Sequence, residues 1–242
     1  MHVPINVAHW YIGIFIVLLI AVRSFVVAKR NHNSLNNILG IASFTFILCL
    51  LVYGIPPLFT TNSEILTKTI IIGDFLQFMA LFWVWVAVSH IYAPNSNIVK
   101  YIIIIADLMI IAIGMIFSIS SNLLNPVTMT QLPSGEWSLN FAFSLGYQII
   151  TAIQYLSLII LASRFILDGV RVKSGLQRTR LWGTAIGFYL IGGFYAIRPI
   201  IGNESSSDVQ NQILIIGLVI TGIMVGATIL LKYIQNNREQ LK

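Results

Sequence analysis

The sequence predicts an all-α membrane protein, a bundle of seven transmembrane helices in a single domain over residues 1–242. Three observations lead to this prediction. The chain is 57% hydrophobic and only 9% charged, whereas a soluble domain carries about 25% charged residues. Its apolar runs are about 20 residues long, which is the length that crosses a bilayer. The total of 242 residues leaves room for about seven such runs and for no soluble domain.

Seven apolar runs, each bounded by polar residues, proline or glycine, give the predicted spans. The alternating segments of about ten residues that are typical of an outer-membrane barrel do not occur in the sequence. The first ten residues lack the basic region of a cleavable signal peptide, so we expect the first span to be retained as a membrane anchor. The predicted spans are Ala8 to Ala28, Ile38 to Phe59, Thr69 to Tyr92, Val99 to Ile119, Leu139 to Leu161, Leu181 to Ile201 and Ile213 to Ile234.

The basic residues predict the orientation, because Lys and Arg gather in cytoplasmic loops. Of the 14 Lys and Arg residues, Lys68 alone flanks the spans on one side, Arg23 and Arg198 lie within spans, and the other eleven flank the opposite side. This distribution predicts an N-terminus outside the cell and a C-terminus in the cytoplasm. It also accounts for the net charge of +6 without nucleic acid, since any excess attraction would be to anionic lipid headgroups.

The connection between predicted helices 4 and 5 contains a turn signal, Pro133-Ser134-Gly135, between two short segments. The segments are Val127 to Leu132 and Glu136 to Leu139, and they fit a small β-hairpin over the outer mouth of the bundle. An irregular loop fits them equally well.

The connection between helices 5 and 6 is the most charged stretch of the chain. One interpretation is that its basic residues set the topology and bind headgroups. The other is that they form a coupling loop on which a cytoplasmic partner docks. Its candidate coupling residues are Arg171, Lys173, Arg178 and Arg180.

Polar residues in the outer half of the bundle form the first candidate site. Asp74 and Gln77 are one turn apart on helix 3, and we expect them to point into the bundle, because a charge at the centre of a span costs ~2.5–3.5 kcal/mol. Arg198, near the outer end of helix 6, could pair with Asp74. Together with the candidates Tyr195, His9 and Gln148, these residues predict an aromatic-rimmed cavity that binds a small molecule or a lipid. The alternative is an interfacial belt of aromatic residues, with Arg198 reaching to the headgroups.

A second polar layer is predicted nearer the cytoplasm, from Asp107, Arg23 and His90. An ion pair between Asp107 and Arg23 is the simpler interpretation, and a proton or signal relay is the sharper one. The sequence shows no continuous chain of acids and histidines between the two layers, which weakens a pump or channel without excluding it.

Enzyme and metal signatures do not occur in the sequence. It contains no H-E-x-x-H, P-loop or G-x-S-x-G motif, and its four histidines lie in separate places. The single cysteine, Cys49, lies inside an apolar run and allows neither an internal disulfide nor a cysteine metal cluster. We therefore expect no enzymatic activity, no metal and no cofactor.

Several segments resemble the N-terminal seven-helix sensor region of bacterial histidine kinases. They are DFLQFMALFWVWVAVSHIY in helix 3, PSGEW before helix 5, RTRLWGTAIGFYLIGG entering helix 6 and ILLKYI closing helix 7. The resemblance covers most of the chain and implies a sensor in a bacterial or archaeal plasma membrane. The sequence departs from that family because it ends at Lys242, about one turn past helix 7, with no output domain. The resemblance therefore implies that output passes to a separate partner.

The chain also resembles the microbial rhodopsins, through Asp74-Phe75 in helix 3 and YAIRPIIGNES at the end of helix 6. The lysine that carries retinal in that family would lie midway along helix 7. The segment ILIIGLVITGIMVGATILL contains no lysine, so we expect no covalent retinal.

Three functions remain open from the sequence. The first is a sensor or receptor that binds a small molecule or lipid in the outer cavity and signals through a cytoplasmic partner. The second is a small-molecule or proton-coupled transporter that uses Asp74 and Asp107. The third is a structural subunit of a membrane complex.

Overall fold

The structure is a computed structural model that describes residue 4, residues 8–32, residues 34–201 and residues 216, 219 and 223. This part of the chain forms six long helices and one two-stranded sheet. The helices are α1 (Ala8–Asn31), α2 (Ser34–Phe59), α3 (Ser63–Tyr92), α4 (Asn97–Leu124), α5 (Leu145–Arg171) and α6 (Gly175–Ile201), and the strands are β1 (Thr128–Gln131) and β2 (Trp137–Asn140).

Helices α1 to α5 are long and apolar enough to cross a bilayer, in agreement with five of the seven predicted spans. Two predicted ends, Phe59 and Tyr92, are the last residues of α2 and α3, and α6 is described as far as Ile201. The predicted start of helix 5 at Leu139 is wrong, because Leu139 belongs to β2 and α5 begins at Leu145. The seventh predicted span lies outside the described residues except at positions 216, 219 and 223, which are helical.

The outer surface of the helices is strongly apolar. Phe15 of α1, Ile98 and Ile116 of α4 and Leu145 of α5 each expose more than 60% of their surface. Soluble monomers rarely expose apolar patches larger than a few hundred Å². A surface of this kind is compatible with contact to the acyl chains of a bilayer, as expected of an integral membrane protein.

Helix α3 is the central helix of the bundle. Within its most apolar stretch 56% of the residues are buried, against 22–39% in the four other candidate spans. Asn62 caps its N-terminus, where the side chain accepts hydrogen bonds from the backbone N–H groups of Glu64 and Ile65. Ser96 and Ser144 cap α4 and α5 in the same way, so serine or asparagine fixes the start of three helices.

Helix α4 buries only a narrow stripe. Its buried residues begin with Asp107, Ile111, Gly114 and Ser118, spaced three or four residues apart on one face of the helix, and end with Ser121 and Asn122. This face contacts α3 and α5. The acidic Asp107 and the polar Ser118 therefore both point into the bundle.

The predicted β-hairpin is confirmed: β1 and β2 are antiparallel and pair Gln131 with Trp137 at the turn. Gly135 has φ of +86°, a conformation that glycine adopts without steric cost. The hairpin is tied to α3 through Val127, whose carbonyl oxygen accepts from Ser63 (2.6 Å) and whose N–H donates to Thr67 (2.9 Å). The end of the bundle that carries the hairpin is called the hairpin side below.

The opposite end, called the basic side, carries the α1–α2, α3–α4 and α5–α6 connections. The α5–α6 connection is only Val172–Ser174. The predicted connection between Leu161 and Leu181 is therefore wrong in length, because most of its residues belong to the two helices. Glycines let these helices approach closely: a Cβ on Gly192 would lie 3.1 Å from the Tyr155 carbonyl oxygen, and one on Gly169 would lie 2.5 Å from Nε1 of Trp182. We call this closely packed unit the α5–α6 pair.

Candidate functional site

A single carboxylate joins four helices near the hairpin side. Asp74 of α3 is fully buried. It accepts hydrogen bonds from the hydroxyl groups of Tyr53 on α2, Ser118 on α4 and Tyr147 on α5, the last over 2.8 Å. The Tyr53 hydroxyl also lies 3.2 Å from Oε1 of Gln77. Tyr53, Asp74, Ser118 and Tyr147 are called the Asp74 cluster.

The Asp74 cluster satisfies the chemical needs of a buried carboxylate. Three hydroxyl donors surround the carboxyl group and replace the water that it would otherwise bind. Each buried hydroxyl thereby finds an acceptor, and a buried donor left without one would cost about 1–3 kcal/mol. The cluster therefore fastens α2, α3, α4 and α5 together in this half of the bundle.

Aromatic rings close the Asp74 cluster from the hairpin side. Trp10 stacks on Tyr53 with ring centroids 5.0 Å apart, and Phe143 stacks on Tyr147 at 4.4 Å. Phe141 lies between them, 6.2 Å from Trp10 and 5.1 Å from Phe143. Since Phe141 and Phe143 directly follow β2, the hairpin and the cluster are packed as one unit.

The six residues predicted to line an outer cavity do not lie together around one space in the structure. Asp74 and Gln77 point into the bundle, as predicted, and are packed rather than open. Gln148 is buried and donates to the Phe143 carbonyl oxygen over 3.2 Å. Tyr195 stacks on Tyr155 at 4.0 Å, within the α5–α6 pair. The remaining two, His9 and Arg198, belong to α1 and α6, and their side chains lie outside the described part of the structure.

The predicted inner layer is not brought together. Asp107 is buried and accepts a hydrogen bond from Nε2 of Gln154 over 2.6 Å. The predicted ion pair with Arg23 is wrong, because Asp107 forms no ion pair with another residue that the structure describes. Helix α4 packs against α3 and α5, not against the helix that carries Arg23. His90 is exposed, with Nδ1 2.9 Å from the Val86 carbonyl oxygen of its own helix.

Asp107 and Gln154 each keep one buried oxygen without a hydrogen-bond partner in the described part of the chain, Oδ2 and Oε1 respectively. Gln154 was missed by the sequence analysis, although a glutamine in the middle of an apolar span is itself a signal. Its amide nitrogen faces Asp107, and this leaves the amide oxygen without a donor.

An apolar layer separates Asp107 from the Asp74 cluster. Phe78 is fully buried and packs with Ile111 and Tyr147, and Ile150 lies against this group. Gly114 makes room for the layer, since a Cβ there would lie 2.7 Å from Cζ of Phe78 and 2.8 Å from Cγ2 of Ile150. The two carboxylates therefore lie in separate polar sites.

A cavity of about 340 Å³ lies between the α1–α2 and α5–α6 helices, with α3 as its back wall. This volume is within the range of ~300–1,000 Å³ typical of small-molecule sites. Most of the lining is apolar, and Arg23 is the one charged residue among the described residues that line it. Of the predicted ligand residues with described side chains, none lines this cavity. Representative lining residues are Val17, Arg23, Ala42, Leu81, Tyr155 and Phe188.

The predicted coupling residues lie at the ends of the α5–α6 pair. Arg171 and Lys173 are exposed. Arg178 donates to the Val172 carbonyl oxygen over 3.1 Å and lies 6.0 Å from the ring centre of Trp182. Trp182 in turn donates to the Ile166 carbonyl oxygen. Arg180 is in α6, with a side chain outside the described residues. These contacts fix the α5–α6 connection to the ends of the two helices that it joins.

Within the described residues, no group of three or more His, Cys, Asp or Glu is placed to hold a metal ion. Comparison of the chain with protein-family models and with curated proteins finds no match. The Asp74 cluster and the cavity are therefore the features of the molecule that indicate its function.

Proposed function

We propose that the protein is a membrane receptor that binds a small apolar or amphipathic molecule in the cavity between the α1–α2 and α5–α6 helices. In this proposal the bundle has seven helices, with the N-terminus outside and the basic side in the cytoplasm of a bacterial or archaeal cell. The observation that carries the proposal is the cavity itself, which has the size of a ligand site and separates two pairs of helices.

The contrast between the two halves of the bundle supports this function. The Asp74 cluster fastens α2 to α5 on the hairpin side. On the basic side α1 and α2 are separated from the α5–α6 pair by the cavity. A ligand shifts a conformational equilibrium only by its differential affinity for the two states. A molecule in the cavity contacts both pairs of helices. It therefore stabilises the arrangement in which the spacing between the two pairs matches the size of the molecule.

Output in this proposal passes through the α5–α6 pair. The pair is held together along its length by the stack of Tyr155 on Tyr195 and by a 2.7 Å hydrogen bond between the hydroxyl groups of Ser163 and Tyr189. A change at the cavity wall therefore reaches the basic end of the pair with little loss. Arg171 and Lys173 are exposed there, and they are the residues on which we expect an acidic surface of a cytoplasmic partner to dock.

Filling the cavity is expected to abolish ligand binding without unfolding the protein. Ala42 lines the cavity, and the Ala42→Phe side chain would occupy space that a ligand needs. In lipid nanodiscs, a library of small apolar and amphipathic compounds should contain members that raise the Tm of the native protein, while none should raise that of the variant. Ala106→Phe is the matched control, because Ala106 is exposed on α4. If no compound stabilises the native protein, or if the stabilisation survives in Ala42→Phe, the proposal is wrong.

The second candidate is a proton-coupled transporter, and Asp107 is the observation that favours it. Its Oδ2 and the Oε1 of Gln154 are buried acceptors without a partner among the described residues, a state that a mobile proton would relieve. The layer around Phe78 opposes a through-going route. We expect proteoliposomes to show no proton uptake above empty vesicles, with native protein and Asp107→Asn giving equal rates. Uptake that is present in native protein and lost in Asp107→Asn would favour the transporter instead.

A further inference from the structure

A buried acid and a buried amide form an incomplete pair between α4 and α5. Asp107 exposes 3% of its surface and Gln154 exposes 0%, and Nε2 of Gln154 donates to Oδ1 of Asp107 over 2.6 Å. Oδ2 of Asp107 and Oε1 of Gln154 are buried and have no hydrogen-bond partner in the part of the chain that the structure describes. Each of these oxygens is attached to the same carbon as the atom that makes the bond. Both therefore belong to two planar groups that already contact each other.

The contrast with Asp74 shows what this pair lacks. Asp74 accepts hydrogen bonds from three hydroxyl groups, which reach both of its oxygens. Asp107 accepts from one amide group, which reaches one oxygen. Buried polar atoms are nearly always hydrogen-bonded, and two acceptors cannot satisfy each other. A single donor between Oδ2 of Asp107 and Oε1 of Gln154 would satisfy both.

The surroundings of Asp107 do not balance a negative charge. Asp107 forms no ion pair with a described residue. On α5 the basic residue that follows Gln154 is Arg164, ten positions away or about 15 Å along the helix. On α4 itself, Lys100 donates to the Pro94 carbonyl oxygen. The titratable side chains along the buried middle of α3 and α5, which pack against α4, are not basic: Asp74, Tyr147 and Tyr155. A buried carboxyl group without a balancing charge takes up a proton.

We propose that Asp107 holds a proton at neutral pH and forms a neutral acid–amide pair with Gln154. The proton is on Oδ2 of Asp107, and this hydroxyl group donates to Oε1 of Gln154, since a protonated carboxyl group has one donor. Nε2 of Gln154 donates to Oδ1 in return. Two hydrogen bonds then join α4 to α5, and neither oxygen is left without a partner.

The bound proton fastens α4 to the α5–α6 pair. It is resident and not transported, so it needs no route through the apolar layer around Phe78. Release of the proton would leave a negative charge beside the amide oxygen of Gln154 and only one hydrogen bond between the helices. The contact between α4 and the α5–α6 pair therefore depends on protonation. This inference rests on neither the cavity nor its ligand.

Infrared difference spectroscopy of the full chain in lipid nanodiscs at neutral pH tests the proton directly. A protonated carboxyl group has a C=O stretching band above the amide bands, and this band shifts in deuterated water. We expect the difference between native protein and Asp107→Asn to contain the band. The difference between native protein and Asp168→Asn should not, because Asp168 is partly exposed and pairs with Arg164. A carboxylate band of Asp107 in its place would overturn the proposal.

Variants of α5 test the partner of the acid. Gln154→Leu removes the donor to Oδ1, so the C=O band of Asp107 should move to higher frequency. If that variant does not fold, Gln154→Asn, which is shorter by one methylene group, should give the same shift. Thr151→Val is the control, because the Thr151 hydroxyl is buried without a partner among the described residues. An unshifted band in the Gln154 variants would overturn the pair. A shift in Thr151→Val would overturn the direct contact, since it would reveal a water between Thr151 and the two oxygens.

Thermal unfolding at neutral pH gives an independent check. The amide of Asp107→Asn can donate to Oε1 of Gln154 and accept from Nε2, so its Tm should stay within about 2 °C of that of the native protein. Asp107→Leu should melt clearly below Asp107→Asn, because it leaves the buried amide of Gln154 without a partner. Equal losses in both variants would contradict the acid–amide pair. A clear rise of the Tm in Asp107→Asn would show that native Asp107 is charged, and would contradict the resident proton.

Discussion

Asp74→Ala is expected to be among the most destabilising substitutions in the chain, lowering the Tm by roughly 10 °C. It removes the shared acceptor of three buried hydroxyl groups, those of Tyr53, Ser118 and Tyr147. A buried donor left without a partner costs about 1–3 kcal/mol, and each kcal/mol corresponds to about 2–4 °C in a chain of this size. The measurement is thermal unfolding in nanodiscs, followed by circular dichroism.

The matched control is Glu64→Ala on the same helix, because Glu64 is exposed and its ion pair with Lys68 lies at the surface. We expect this variant to melt within about 2 °C of the native protein, since exposed ion pairs contribute little. A cycle with Tyr147→Phe tests the mechanism: the second substitution should cost much less in the Asp74→Ala background than alone. Additive effects, or a melting temperature of Asp74→Ala equal to that of the control, would contradict the anchoring role.

Gly73→Ala is expected to have the second large effect. An added Cβ would overlap Cε1 of the Tyr53 ring, so the ring would have to leave both Trp10, on which it stacks, and the carboxylate of Asp74. Alanine is favoured over glycine in a helix by about 1 kcal/mol. A loss of stability in Gly73→Ala would therefore run against the helix preference for alanine, and it would have to come from the clash with the Tyr53 ring. Thermal unfolding measures it, and we expect a fall in Tm comparable to that of Asp74→Ala.

Two further variants test whether the effect of Gly73→Ala comes from the clash with the Tyr53 ring. Gly193→Ala in α6 meets no atom within 4 Å among the described residues, so it should be neutral or slightly stabilising. Tyr53→Ala combined with Gly73→Ala should be no less stable than Tyr53→Ala alone, because the ring that clashes is gone. A double variant that is much less stable than Tyr53→Ala would place the clash elsewhere.

Much of the fold was predictable from the sequence because long apolar runs and short connections leave few alternatives. The late start of α5 was missed because Leu139 and Phe141 continue an apolar run, and periodicity alone does not separate a short strand from the first turn of a helix. Ser144, whose side chain accepts from the N–H of Tyr147, carries the signal that would have corrected it. The seventh span stays a prediction.

The candidate site was predicted only in part, for a physical reason. An acid in a span must be buried or paired, so the inward position of Asp74 was predictable from its own helix. Its partners were not, because Tyr53 and Tyr147 lie in spans near other aromatic residues and look like an interfacial belt in the sequence. The cavity was missed because its described wall consists mostly of ordinary apolar residues, which come from five helices. Arg23 was assigned to an ion pair, and its place in the cavity depends on how α1 and α2 pack.

The most direct test of the central claim is the distance between the two pairs of helices on the basic side, with and without ligand. Spin labels at Lys29 and Lys173, both exposed, report it by pulsed electron paramagnetic resonance. The labels are introduced as Lys29→Cys and Lys173→Cys in a Cys49→Ala background, since Cys49 is the one native cysteine. We expect two distances without ligand, and one predominant distance with a saturating concentration of a compound that raises the Tm of the native protein and not that of Ala42→Phe. An unchanged distribution, under conditions in which that compound raises the Tm, would contradict the receptor mechanism.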